Sequence, residues 1–114
     1  MRPYEQYIPK EMGEVIEMLG MMMLSSPTFM DKSGYFPEQN LDTVFQALNE
    51  GLRLIKGKLG EERYRTLTDM SDRMRALFEA DPDDKTGETR AGQMLILEME
   101  DILTSVAKRE AAKK

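Results

Sequence analysis

The stretch that most constrains the fold is TRAGQMLILEMEDILTSV, residues 89–106. Its centre, Met94-Leu95-Ile96-Leu97, is apolar on every side of a helix. A helix of that kind is expected to be buried, because no face of it suits water. It therefore needs other elements to cover it. Three more segments of the chain carry apolar residues at helical spacing. The expected fold is all-α: an antiparallel up-down four-helix bundle with helices near 10–25, 38–58, 61–80 and 88–108, and two longer loops at one end. A chain of 114 residues is expected to form one domain spanning 1–114, with one core large enough to need no staples.

Residues 1–9 read as an extended arm, since Pro3 and Pro9 hold the residues before them out of the helical region. Tyr4 and Tyr7 would staple that arm to the bundle. Pro9 suits the first turn of a helix. From Lys10 to Ser25 the apolar set is Met12, Val15, Ile16, Leu19, Met22 and Met23, with Glu11, Glu14 and Glu17 on the other side. Gly20 either admits a neighbouring helix or bends its own. Met21-Met22-Met23 reads as core filler or as an adaptable binding surface.

Pro37 opens the second helix, whose stripe of Leu41, Val44, Phe45, Leu48, Leu52, Ile55 and Leu59 keeps steps of three and four throughout. Gly60 followed by Glu61-Glu62 marks a tight turn into a third helix, because acids suit a helix N-terminus. Tyr64, Leu67, Met70, Met74, Leu77 and Phe78 form its apolar face, and Glu61–Arg65 and Asp69–Arg73 are surface pairs one turn apart. Pro82 stops it. Thr86 or Asp84 is expected to cap the fourth helix. The polar tail from Lys108 to Lys114 is expected to fray. Within the fourth helix, Leu95, Met99 and Ile102 are the expected core positions. Leu97 is the apolar residue most apt to be exposed, and an exposed Leu97 would serve as an interface anchor.

In such a bundle alternate connections share an end. That brings Ser26–Phe36 and Asp81–Glu88 together. Both contain Asp-x-x-Gly: Asp31-Lys32-Ser33-Gly34 and Asp84-Lys85-Thr86-Gly87. One account is that this tetrapeptide makes a type I turn, and that the first loop forms a short hairpin or plugs the bundle end. The other is that the loop end recognises a partner, with Phe29, Asp31, Tyr35, Phe36, Asp81, Asp83, Asp84 and Glu88 as the contacting residues. A cation in the first turn of a helix opposes the dipole, and Arg90 is such a cation. The acids do not read as a calcium loop, because Lys85 stands where an oxygen ligand is wanted.

The chain has no Cys and no His, which removes thiol nucleophiles, disulfides, structural zinc and imidazole acid–base chemistry. No metal or cofactor is implied. A net charge of −5 speaks against a nucleic-acid binder and suits a basic protein partner. The apolar run 18–24 is preceded by Glu5, Glu11, Glu14 and Glu17, the wrong charge for a signal peptide, and no run is long enough for a membrane span. A cytoplasmic protein is expected.

In size, charge and helical pattern the whole chain resembles the immunity proteins of bacterial polymorphic-toxin and contact-dependent inhibition systems. That resemblance implies tight binding to one cognate toxin domain, often a basic nuclease, and inhibition of it. A helical adaptor or phage-derived regulator remains the alternative. An enzyme is set aside. All-helical nucleotide pyrophosphohydrolases carry paired acidic motifs on adjacent helices, close in sequence, that bind Mg²⁺. Here the candidate acids Glu11, Glu14, Glu17, Glu98 and Asp101 lie at opposite ends of the chain, and solvated helix faces account for them. The oligomeric state is left open.

Overall fold

The computed structural model describes residues 8–29 and 40–112. Among them are five helices and no strand: α1 (Met12–Ser25), α2 (Leu41–Leu54), α3 (Lys56–Leu59), α4 (Glu61–Ala80) and α5 (Glu88–Ala112). The hairpin considered for Ser26–Phe36 would fall mostly on residues 30–36, outside the described residues.

The second helix is described from Leu41, with Asn40 as its cap; Pro37, expected to open it, lies outside the described residues. Asn40 is extended, its side chain accepts from the Thr43 amide at 3.0 Å, and Thr43 Oγ1 accepts from the Asn40 amide at 3.0 Å. This reciprocal capping satisfies donors that the first turn leaves open. The stripe also divides in two. Ile55 leaves helical geometry (φ −100°, ψ 9°), and one further turn, α3, carries Leu59 into the core. Gly60 then turns the chain with φ +84°. Glu61 begins α4 at once, and its carboxylate pairs with Lys56 and Arg65 at 3.5 and 3.4 Å. α5 runs on to Ala112 instead of ending near 108, because Lys-Arg-Glu-Ala-Ala contains only good helix formers, with cations at the favourable end.

α1 packs on α2 and α5, and α4 packs on α2 and α5. The core between them holds Met12, Val15, Met18, Leu19 and Met22 from α1, and Val44, Phe45, Leu48 and Leu52 from α2. Leu67, Met70, Met74 and Phe78 come from α4, and Leu95, Ile96, Met99, Leu103 and Val106 from α5. Ile102 is only partly buried.

Two close approaches set the spacing. A Cβ on Gly51 would stand 2.5 Å from the Pro9 ring, and one on Gly92 would stand 2.7 Å from the Phe78 ring. Gly20, expected to admit a neighbour, has nothing within 4 Å of such a Cβ. Pro9 lies before α1, not in its first turn, and is buried.

The run Met94–Leu97 is not buried all round. Leu95 and Ile96 are in the core, but Met94 is 51% and Leu97 46% exposed. The reason is topological. α5 has two neighbouring helices on one side, and nothing among the described residues covers the other.

Candidate functional site

The end of the molecule where α1 finishes, α2 begins, α4 finishes and α5 begins was the expected recognition surface. Its centre is three phenylalanines. Phe29 meets Phe45 edge-on at 5.6 Å and Phe78 edge-on at 5.1 Å, and Phe45 lies 6.4 Å from Phe78. All three are fully buried. Phe29, expected as a contacting aromatic, is therefore a core residue with no surface exposed to solvent. It holds a left-handed backbone at φ +60°, which a bulky side chain adopts only when its surroundings impose it. Its surroundings include the two rings and the bond from the Phe29 amide to the Ser25 carbonyl at 2.9 Å. Gln93 Nε2 donates to Ser26 Oγ at 2.9 Å and ties the end of α1 to the start of α5.

Asp81 also differs from expectation. It is buried, and its carboxylate accepts the amides of Lys85 at 2.7 Å, Thr86 at 3.2 Å and Thr89 at 3.1 Å. The Thr89 hydroxyl returns a bond to the Asp81 carbonyl at 3.0 Å. Asp81 is thus the cap of α5, reached across the whole loop, and it takes the role expected of Thr86 or Asp84. Burial pushes its carboxyl up, but the amides of Lys85, Thr89 and Thr86 and the Thr89 hydroxyl outweigh that and bring it down to about 2. The turn, too, sits three residues earlier than Asp84–Gly87: the Asp84 amide donates to the Asp81 carbonyl at 3.1 Å. Asp81 and Pro82 hold the first two turn positions, where those residue types are favoured. Asp84 follows with φ +54° and Gly87 with φ +93°.

What this bracket presents to solvent is Asp83 and Asp84, both exposed, with Lys85 between them and the helix. Glu88 is half-buried and accepts from the Thr86 hydroxyl. Asp31, Tyr35 and Phe36 lie outside the described residues. Of the eight expected contact residues, Asp83, Asp84 and Glu88 are thus together at one loop, Asp81 lies buried at its base, and Phe29 is in the core.

The methionine run divides between the two roles expected of it: Met21 is 65% exposed while Met22 is core, and Leu24 beyond it is 88% exposed. Ser71, fully buried, donates to Asn49 Oδ1 at 2.8 Å and joins α4 to α2. No pattern in the sequence pairs residues 22 positions apart. An open groove of about 430 Å³ lies at the other end, lined by Leu59, Glu61, Arg63, Thr66 and Ile102 among others. Glu11, Glu14, Glu17, Glu98 and Asp101 are not gathered: among the described residues no three acidic side chains are placed to hold a metal ion. Nor is any helix among them long and apolar enough to cross a membrane.

No family model, curated protein or solved structure matches this chain.

Proposed function

We propose that this chain is an immunity-type protein, a helical module of the bacterial cytoplasm that binds a cationic toxin domain through the acidic loop between α4 and α5. One observation carries the reading. Asp83 and Asp84 stand in solvent on a loop whose backbone is anchored from beneath by a buried, multiply bonded Asp81. Carboxylates on a loop fixed to a helical scaffold suit the recognition of Lys or Arg, because little ordering remains to be done on binding. The net charge of −5 adds long-range attraction for a basic partner.

The fold that goes with it is an antiparallel up-down four-helix bundle in which α3 extends α2. Contacts between opposite ends support this arrangement. Asp42 near the start of α2 pairs with Arg75 near the end of α4, and Phe78 of α4 touches Gly92 of α5. Ser26 after α1 bonds Gln93 of α5, and Pro9 before α1 meets Gly51 of α2.

The test is co-expression with the product of the gene neighbouring this one, which the reading requires to be toxic. The chain is expected to restore growth and to co-purify with the toxin. Asp83→Ala with Asp84→Asn, the second chosen because Asn keeps the left-handed backbone of Asp84, should weaken the complex, and the loss should shrink at high salt. The same pair should leave the melting temperature within a few tenths of a degree to about 2 °C, since exposed charges contribute little to folding. A neighbouring gene without toxicity, or a complex indifferent to the double change at low salt, would refute the reading. The first result would favour a helical adaptor or regulator instead.

A further inference from the structure

The outer face of α5 carries a line of four side chains that neither the core nor the acidic loop uses. Arg90, Met94, Leu97 and Asp101 follow one another at steps of four, three and four, so they lie along one edge of the helix. All four are exposed, and they point away from Leu95, Ile96, Met99 and Leu103. Two large apolar side chains, each about half in water, are thus flanked by a cation on one side and an anion on the other. Among the described residues neither Arg90 nor Asp101 makes an ion pair. Arg90 also sits in the first turn of α5, where the helix dipole disfavours a positive charge.

The order cation, apolar, apolar, anion is self-complementary under a two-fold axis. In an antiparallel helix pair, facing positions have a constant sum. An axis crossing α5 between Leu95 and Ile96 sets Arg90 opposite Asp101 of the second copy and Met94 opposite Leu97 of the second copy. The symmetry repeats both contacts. A parallel pairing would instead set Arg90 against Arg90 and Asp101 against Asp101. The antiparallel pairing also opposes the two helix dipoles. We propose that this line is a docking surface for a second copy of the chain, α5 against α5 across a two-fold axis. The contact is isologous and closes on itself, so it forms a dimer and not a filament. Four positions per copy make a small patch, and the dimer is a transient one that forms with rising concentration.

The geometry dictates a charge-swap experiment. Sedimentation velocity would be run from about 5 µM to about 500 µM chain, a range that brackets weak association. Arg90→Asp turns both polar pairs of the dimer into Asp–Asp, and Asp101→Arg turns both into Arg–Arg. Each variant alone is expected to weaken the dimer at least about tenfold. The equimolar mixture of the two restores attraction at both pairs and should dimerise within about threefold of the wild type. The double variant with both changes in one chain should do the same. Neither change threatens the fold, since an acid at position 90 suits the helix N-terminus, and removing Asp101 relieves its repulsion of Glu100. Wild-type chain that stays monomeric throughout would overturn the proposal. So would single variants that still dimerise, which would place the contact elsewhere, or a mixture that fails to recover.

Discussion

Phe29 decides between a plug and a partner anchor, and two substitutions at one site separate them. The ring is wholly buried and packs edge-on against both Phe45 and Phe78. Phe29→Ala deletes that packing and leaves a cavity, at a cost of about 3–5 kcal/mol. In a domain of this size that corresponds to a fall in melting temperature of roughly 12–20 °C. Phe29→Gly removes the same ring but answers differently to the backbone. At φ +60° an L side chain carries about 1–2 kcal/mol of steric cost that glycine does not. Glycine's looser unfolded state gives back about 0.4–1 kcal/mol of that. Glycine should therefore be the more stable of the two variants, by up to about 1.6 kcal/mol, the reverse of the order at an ordinary helical or extended position. Urea unfolding followed by circular dichroism measures both differences. A loss under about 1 kcal/mol for Phe29→Ala would show that the ring is not core, and an alanine variant more stable than the glycine one would show that the backbone is not left-handed.

The glycines give a paired expectation. Gly92→Ala should destabilise by about 1–2 kcal/mol net, because overpacking against the Phe78 ring at 2.7 Å outweighs the gain in helix propensity. Gly20→Ala, with open space around it, should stabilise by up to about 1 kcal/mol, and equal effects at the two sites in thermal melts would refute the close approach. Asp81 should show in the acid limb of stability. Its folded-state carboxyl is held below the ordinary 3.8, so its contribution is complete above that value and is lost as pH falls through it to about 2. Denaturant titrations across that interval should find Asp81→Asn less acid-sensitive than the wild type, and superimposable profiles would contradict the capping role. Leu48→Ala and Leu95→Ala should each cost about 2–5 kcal/mol by chemical unfolding, with Leu48 nearer the upper end because it is the more completely buried.

What the sequence determined by itself is whatever depends on neighbours one or two turns away. The stripe from Val44 to Leu59 is buried as its spacing requires, α4 covers the expected 61–80, and the Glu61–Arg65 pair forms at 3.4 Å. Each follows from helical periodicity and local charge, which a linear pattern carries in full. The tertiary structure decided whatever depends on which helix lies alongside. Met94 looks as apolar in sequence as Leu95 and Ile96, yet it joins Leu97, the residue expected to be exposed, in facing water, because among the described residues α5 has neighbours on one side only. Gly92 and Gly51 matter, and Gly20 does not, because only the first two lie where another residue's ring crosses the helix. Asp81 and Asp83 stand two residues apart in one acidic loop. One is buried beneath three amides and the other is solvated, because the turn at Pro82 folds the loop back over the first of them. Spacing along a chain specifies the face of an element, while burial of a face depends on the distance to atoms far away in sequence, and those distances exist only once the helices have packed.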